Sequence, residues 1–302
     1  MAPENASAAA DTLADLGGRN RSAAEWLKSV AQRARTAFIL MPIIIVLAWF
    51  GGWWAFACAL VFTVVALWEL RRMLAQRGLH PIMTLSGALC IVFLVAAELP
   101  QQRLALVALG ISGMLVGSFA WLMISRQASL AGSLTDWALT MVLPFYLGWP
   151  LAVFLLLRGP TLGYHVNGFW WMLATLFGVW GFDTAAFFAG RWFGRHQMAP
   201  LISPKKTWEG AAGGLIFALI GVYVCTLPIG VAWYHVLAIG VLVSVAATLG
   251  DLAESLLKRD VGVKDSGTIM PGHGGILDRI DSLLFAILVV FFYAAFLGSI
   301  KV

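Results

Sequence analysis

Acidic and basic side chains recur at helical spacing in one otherwise apolar stretch of the chain. Four polar residues stand at positions i, i+3, i+4 and i+7: Asp251, Glu254, Ser255 and Lys258. Because an α-helix turns once in about 3.6 residues, this spacing predicts a polar stripe along a single helix face.

A second acidic pair, Asp278 and Asp281, also has the spacing of one helix face. Between the two stretches lies the sequence Pro271-Gly272-His273-Gly274-Gly275. Glycine permits positive φ and close backbone approach, and proline stops a preceding element. We therefore expect this segment to turn the chain back, so that the two carboxylate faces converge.

The residue types in this constellation favour phosphoryl or nucleotidyl transfer. Aspartate oxygens without a His/Cys cluster suit Mg²⁺ or Mn²⁺ rather than zinc. Three basic residues near them suit phosphate oxygens: Lys258, Arg259 and Lys264. In such chemistry the protein mainly positions groups and neutralises charge. A structural network of ion pairs is the alternative interpretation.

A further polar segment precedes a predicted helix. Thr207 is expected to cap this helix, and Lys205 and Lys206 stand just before its N-terminus, a position suited to an anion. Charges that anchor the chain at a membrane surface are the alternative for these lysines. Upstream, Asp183 lies within an apolar segment; an approach to the metal or nucleotide and a structural role are both open for it.

Membrane helices are the elements that must position these residues. The chain has 302 residues, is 61% hydrophobic and only 12% charged, whereas soluble domains are about 45–50% apolar and about 25% charged. So few polar residues could not cover a soluble fold, and they also exclude disorder, a coiled coil and a disulfide scaffold. The net charge of +5 is distributed along the chain. No nucleic-acid-binding module occurs, so no nucleic-acid partner is expected.

The fold class predicted is an all-α, polytopic integral membrane protein with about nine transmembrane helices. Approximate limits of the apolar segments are 37–51, 53–70, 81–99, 104–124, 136–157, 168–190, 209–227, 231–257 and 276–298. The first pair is divided at Gly51-Gly52, or else forms one long helix. With a cytoplasmic N-terminus, all but three of the 20 Lys and Arg residues fall on cytoplasmic segments, as the positive-inside rule requires.

Three regions follow from this map. Residues 1–35 form a polar tail, either solvated or folded as a short interfacial helix. Residues 36–165 hold the N-terminal transmembrane helices, and 166–302 hold the C-terminal catalytic region.

Charged residues within the spans differ between the two halves. Three acids of the first half lie at span ends, where solvation costs little, and are expected to be structural: Glu69, Glu98 and Asp136. The carboxylates of the second half interrupt spans, where each charge costs about 2.5–3.5 kcal/mol, so they are expected to face a cavity or partners.

Taken together, the motifs resemble the signature of the phosphatidate cytidylyltransferases (CDP-diacylglycerol synthases). The segment 255–281 fits S-x-x-K-R-x(4)-K-D-x(5)-P-G-H-G-G-x-x-D-R-x-D without a break. The sequences Asp183-Thr184-Ala185-Ala186 and 203–210 are similar to upstream segments of that family. The specific resemblance covers residues 180–282, and the N-terminal half is similar only as a string of membrane helices.

The resemblance implies that CTP and phosphatidic acid give CDP-diacylglycerol and pyrophosphate, for phospholipid biosynthesis. It also implies a multi-span homodimer with a di-metal centre near the cytoplasmic side. By position, the metal ligands would be Asp251, Asp278 and Asp281, and the same three with Lys258 would be catalytic. The metal expected is Mg²⁺, with Mn²⁺ as an alternative and the identity of a second cation open.

Substrate contacts are implied at six positions: Ser255, Arg259, Lys264, His273, Lys205 and Lys206. His273 could instead act as a general base, although a histidine between glycines more often forms a loop hydrogen bond or a substrate contact. Asp265, next to Lys264, is either an orienting residue or an ion-pair partner.

Other membrane proteins are alternatives to this assignment. A CTP-dependent lipid kinase or a CDP-alcohol phosphotransferase uses related substrates, but the D-G-x-x-A-R…D-x-x-x-D pattern of the latter is absent. An ion-coupled transporter predicts broken helices in both halves, whereas the polar groups here lie in one half. The compact chain favours a bacterial plasma (inner) membrane, with the active site facing the cytoplasm.

Overall fold

A computed structural model of the chain describes residues 41–125, 131–158, 168–267 and 274–299. In chain order, the helices and strands within these ranges are α1 (Met41–Phe50), α2 (Gly52–Gln76), α3 (Met83–Glu98), α4 (Arg103–Ser125), α5 (Ser133–Leu143), α6 (Trp149–Arg158), α7 (Gly168–Phe193), β1 (Gln197–Ala199), β2 (Ser203–Thr207), α8 (Trp208–Thr226), α9 (Trp233–Asp260) and α10 (Leu277–Ser299). The predicted tail, residues 1–35, lies outside the described residues.

Within the described residues, each of the nine predicted apolar segments overlaps a helix. A π-helical turn, Pro144–Gly148, joins α5 to α6 into one continuous span. Within the described ranges, seven helical spans are long and apolar enough to cross a membrane, and α1 and α3 are shorter apolar helices. The prediction of an all-α polytopic membrane protein is therefore confirmed, while the count of nine and the cytoplasmic N-terminus stay predictions.

The break between α1 and α2 lies at Gly51, where the sequence suggested it. Gly51 and Gly52 have φ values of +62° and +47°, a conformation that residues with a Cβ rarely adopt. Arg158 at the end of α6 donates hydrogen bonds to the carbonyl oxygens of Ala48 (3.3 Å) and Trp49 (3.2 Å). These are carbonyls of the last turn of α1, so the guanidinium satisfies acceptors that the helix itself leaves free.

Glycines allow α7 and α8 to approach each other closely. A Cβ added to Gly221 would lie 2.7 Å from the Phe177 carbonyl oxygen, and one added to Gly214 would lie 2.6 Å from the Phe182 ring. Lipid tails are as apolar as the helix surfaces, so the hydrophobic effect contributes little to helix association within a bilayer. Close van der Waals packing of this kind stabilises the α7–α8 pair instead.

α10 is shared by the two main apolar clusters of the protein. Near its start, Leu284 packs in a cluster with residues of α2, α3 and α6, such as Leu70 and Phe93. Nearly two turns further, Val290 packs in a cluster with residues of α7 and α9, such as Met172. The helix that carries Asp278 and Asp281 is therefore fixed by both halves of the chain.

The strands β1 and β2 form an antiparallel hairpin between α7 and α8. Thr207, the last residue of β2, accepts the Gly210 N–H on its Oγ1 at 3.1 Å, which confirms the predicted cap of α8. Arg259, in the last turn of α9, donates to the Ile202 carbonyl at 3.3 Å. The hairpin thus contacts the C-terminal end of α9.

Two acids of the first half are buried, contrary to expectation. Asp136 is only 4% exposed and accepts the His80 N–H at 2.7 Å. Glu69 is fully buried. The prediction that water solvates these two carboxylates was wrong. Backbone N–H groups of neighbouring segments donate to them instead.

Gly221→Ala is expected to lower the thermal unfolding temperature of the purified protein. The added methyl meets backbone rather than a mobile side chain, and such overpacking costs about 1–3 kcal/mol. Gly117→Ala in α4 is the matched control, since its Cβ would meet nothing within 4 Å and alanine favours helix. Equal unfolding temperatures for the two variants would contradict a close seam between α7 and α8.

Candidate active site

Lys258 joins the end of α9 to the start of α10 through Asp278, and it also pairs with a carboxylate of its own helix. Its Nζ lies 2.6 Å from Asp278 Oδ1 and also pairs with Glu254, one turn earlier in α9. The Glu254 side chain is fully buried, and those of Lys258 and Asp278 are 11% and 8% exposed. Since an unpaired buried charge costs several kcal/mol, these groups stabilise one another only as a set. The two predicted polar faces therefore converge.

The second oxygen of Asp278 holds the chain that leads into α10. Oδ2 accepts the backbone N–H groups of Gly275 (2.7 Å) and Ser266 (3.1 Å) and lies 2.9 Å from Ser266 Oγ. Asp278 stands in the first turn of α10, where a carboxylate satisfies N–H groups without a helical partner. Both of its oxygens are therefore engaged.

Asp251 connects α9 to the hairpin. Lys206, on β2, places Nζ 2.7 Å from Asp251 Oδ2 and 3.4 Å from the Thr248 carbonyl oxygen. The Ser255 hydroxyl donates to Asp251 Oδ1 at 3.3 Å. One carboxylate thus receives a cation from the hairpin and a hydroxyl from its own helix face.

Ser282 links Asp281 on α10 to Asp183 on α7. Its backbone N–H donates to Asp281 Oδ1 at 2.6 Å, and its hydroxyl donates to Asp183 Oδ1 at 3.4 Å. A carboxylate offers about four acceptor positions, so both aspartates retain acceptor capacity after these bonds.

A polar cavity of about 640 Å³ collects most of the predicted site residues. Those that line it are Asp183, Lys205, Lys206, Asp251, Lys258, Asp265, Asp278 and Asp281. Arg279 and Ser282 line it as well. A cavity with carboxylates and ammonium groups on facing elements can accept both a cation and the phosphates of a charged substrate.

The remaining predicted residues lie elsewhere or outside the description. Ser255 is buried beside Asp251. The Arg259 guanidinium donates to the carbonyls of Ile202 and Val263, so backbone oxygens occupy part of its donor set. Lys264 is exposed. His273 falls in a segment outside the described residues.

The aspartates do not form a ready-made metal cluster. Within the described ranges, no group of three or more His, Cys, Asp or Glu side chains is arranged to hold a metal ion. The carboxylates of Asp183, Asp251 and Asp281 nevertheless face one cavity, and hard oxygens are the donors that Mg²⁺ prefers. The donor chemistry fits a divalent cation, and binding would require these side chains to draw together.

An apolar cavity of about 260 Å³ adjoins the polar one. Its walls come from α1, α2, α6, α7 and α10. It shares five residues with the polar cavity: Asp183, Thr184, Asp278, Arg279 and Asp281. A single molecule with a charged head and apolar chains could therefore occupy both cavities at once.

The sequence analysis assigned no functional role to Glu254, Ser282 or Glu69. Glu254 is on the polar stripe but received no role, and the structure pairs it with Lys258. Ser282 follows Asp281 directly, a proximity that could have suggested it. Glu69 gave no signal beyond being an acid in an apolar segment, and it contacts the N-terminus of α10.

Comparison with known proteins agrees with this geometry. The sequence profile of the cytidylyltransferase family matches residues 31–297. The chain belongs to the cytidylyltransferase family. The phosphatidate cytidylyltransferase of Brucella suis biovar 1 is 32% identical over 270 residues, which cover 89% of this chain and 94% of the relative. That of Bacillus subtilis (strain 168) is 34% identical over 236 residues, which cover 76% and 85%. That of Synechocystis sp. is 31% identical, with 88% and 97% covered.

Membership of this family agrees with the predicted resemblance, and the match extends beyond the signature. The profile begins before α1 and ends within α10, so it includes the N-terminal helices that the sequence motifs left unassigned. The apolar helices and the bacterial relatives together make this cytidylyltransferase an integral membrane protein.

Lys258→Met is expected to lower the free energy of unfolding by about 3–5 kcal/mol, because Glu254 and Asp278 would lose the cation between them and would form a buried acidic pair that must repel or take up a proton. Denaturant or thermal unfolding in detergent measures this. Lys264→Met removes an exposed ammonium and is expected to change stability by no more than about 0.5 kcal/mol. Similar losses in both variants would contradict a stabilising role for the buried pair.

Proposed function

We propose that this chain transfers the cytidylyl group of CTP to phosphatidic acid and releases pyrophosphate, so that CDP-diacylglycerol is formed. The observation that carries the proposal is the convergence of Lys258, Asp278 and Asp281 on one cavity in a chain of the cytidylyltransferase family. The apolar cavity that meets this site supports a lipid as the second substrate.

The reaction needs charge neutralisation more than proton transfer. The second pKa of a phosphate monoester is about 6, so phosphatidate is largely dianionic at pH 7 and is already a nucleophile. One of its phosphate oxygens attacks the α-phosphorus of CTP. A new phosphorus–oxygen bond forms while the bond to the bridging oxygen of the β-phosphate breaks, and that oxygen leaves with pyrophosphate. No protein group has to supply or remove a proton.

Basic residues of the cavity reduce the repulsion between the two anionic reactants. Lys205 and Lys206 enter from the hairpin, Lys258 from α9, and Arg279 from α10. Preorganised charges in a site with little water stabilise developing negative charge more strongly than the same charges in bulk water. The lysines of β2 stand beside the N-terminus of α8, which adds a further favourable field for phosphate.

Asp183, Asp251 and Asp281 would hold a divalent cation, Mg²⁺ or Mn²⁺, with a second cation of open identity. When bound, the metal would neutralise charge on the CTP phosphates. Lys206 now pairs with Asp251, so its ammonium could pass to a phosphate as a cation takes its place. Asp278 as a metal ligand stays a prediction, since Lys258 and the segment before α10 engage both of its oxygens.

The placement of the site favours a cytoplasmic orientation in a bacterial inner membrane. Lys258 and Arg259 end α9, and Arg71 and Arg72 lie near the end of α2, which is the bias of cytoplasmic segments. CTP would enter from water and phosphatidate from the leaflet. Association into a homodimer is part of the same proposal: only Met114 and Ser118 are buried in α4, so one long apolar helix is available to a second copy or to lipid.

Purified protein given CTP labelled at the α-phosphate and phosphatidic acid is expected to move label into the lipid extract with Mg²⁺ and not with EDTA. Asp251→Asn and Asp281→Asn are expected to reduce this at least about 100-fold, since charge stabilisation of this kind contributes about 10²–10³ in rate. Asp260→Asn is the matched control, because the Asp260 side chain is exposed and, among the described residues, its only ion pair is with Arg77 at 3.8 Å.

No label from the unaltered protein across several phosphatidic acids would overturn the proposed function. Label that persists in both variants at normal expression would keep the function and discard the metal ligands. Label that is insensitive to EDTA would discard the divalent cation.

Cys58→Phe is expected to raise the KM for long-chain phosphatidate several-fold and to leave the KM for CTP unchanged, because Cys58 lines the apolar cavity. Val61→Phe places the same ring on the exposed side of α2 and serves as the control. Steady-state kinetics in mixed micelles measures both constants. An equal change for both substrates, or none, would remove the apolar cavity from the lipid site.

A further inference from the structure

Glu69 is a buried carboxylate far from the polar cavity residues in sequence, yet it contacts the segment that carries them. It lies near the C-terminal end of α2, in the half of the chain without signature motifs, and is fully buried. Its Oε1 accepts the Ile276 N–H at 3.0 Å, and its Oε2 accepts the Leu277 N–H at 2.9 Å. Leu277 is the first residue of α10.

These two bonds satisfy backbone donors that α10 cannot satisfy itself. The first N–H groups of a helix have no partner within the helix and carry its positive dipole end, so a buried carboxylate there receives both hydrogen bonds and a favourable field. Among the described residues, the Glu69 carboxylate is bound by backbone N–H groups and the Ser266 hydroxyl, and no basic side chain pairs with it.

Ser266 connects Glu69 to Asp278. Its Oγ lies 3.3 Å from Glu69 Oε2 and 2.9 Å from Asp278 Oδ2, so its single proton serves one of the two carboxylates at a time. Asp278 in turn holds Lys258. A continuous chain of polar contacts thus leads from α2 to the ammonium in the polar cavity.

The surrounding glycines leave room for this carboxylate and little else. A Cβ on Gly267 would lie 2.6 Å from Glu69 Oε1, and all three of its nearest atoms belong to Glu69. A Cβ on Gly275 would lie 2.5 Å from Glu69 Oε2. Two glycines of the segment between α9 and α10 therefore pack directly against the Glu69 carboxylate.

We propose that Glu69 is a positioning residue for the transfer reaction: its carboxylate sets the start of α10, and through Ser266 it sets Asp278 and Lys258. Glu69 lines neither the polar nor the apolar cavity. The proposal rests on the proposed function, because it assumes that Asp278, Asp281 and Lys258 serve the reaction. Displacing catalytic groups by about 1 Å can cost about 100-fold in rate, so a lost anchor is expected to appear in kcat.

The central test is Glu69→Gln in the full chain. Glutamine keeps the shape but replaces one acceptor oxygen with an NH₂ donor that faces a backbone N–H. We expect kcat per folded molecule to fall about 10- to 100-fold, the Mg²⁺ concentration for half-maximal activity to rise, and the KM for CTP to change less. Glu98→Gln, the same change at a half-buried acid of α3, is the matched control and is expected to retain unaltered kinetics.

A second variant moves the carboxylate without removing its charge. Gly267→Ala is expected to lower kcat as Glu69→Gln does, since its methyl would displace the Glu69 carboxylate. Glu69→Asp in the Gly267→Ala background shortens the displaced side chain. The double variant is expected to be more active than the product of the two single effects predicts, which is the signature of direct coupling.

Several outcomes would overturn the proposal. Unaltered kcat and Mg²⁺ dependence in Glu69→Gln would do so. A lower unfolding temperature with unchanged kcat per folded molecule would make Glu69 a residue of stability alone, and additive effects of Gly267→Ala and Glu69→Asp would remove the coupling. Asp281→Asn in the same assay tests the proposed active site separately from the role of Glu69. If Asp281→Asn stays active, the proposed site is wrong. The kcat of Glu69→Gln tests only the positioning role of Glu69.

Discussion

The buried pairing of Lys258 with Asp278 and Glu254 is the interaction on which the site geometry depends. A charge that leaves water without a partner costs several kcal/mol, so none of the three can be buried alone. The pair fixes the end of α9 against the start of α10, and Asp278 Oδ2 fixes the chain before α10 at the same time. Electrostatics and backbone hydrogen bonding therefore specify one relative placement of the two helices.

Much of this arrangement follows from sequence because it is encoded locally. The spacing of Asp251, Ser255 and Lys258 determines a helix face whatever surrounds it, and Asp278 and Asp281 do the same for α10. The cap at Thr207 is likewise a contact between residues three positions apart. Apolar run lengths predict helices for the same reason, since the bilayer sets the length that a span requires.

The parts that sequence did not predict depend on partners far along the chain. Glu69 and Leu277 are separated by 208 positions, and a carboxylate at a span end has the same sequence pattern whether it meets water or backbone N–H groups. Arg259 depends on tertiary structure in the same way: its guanidinium donates to two carbonyl oxygens, so only part of its five N–H donors is left for a phosphate, and its substrate contact stays a prediction. Only tertiary structure decides which donors and acceptors remain for a substrate.

A reaction between a nucleotide and a lipid imposes a further constraint, because one reactant is stable in water and the other in the bilayer. The two cavities meet this constraint by sharing the residues at the start of α10, so charged groups occupy the boundary and apolar walls continue away from it. α10 can serve both environments because its first turn is polar and the rest is apolar. The N-terminal helices contribute to this boundary: α1 and α2 supply apolar walls, and α2 also supplies the carboxylate that accepts the N–H of the first residue of α10.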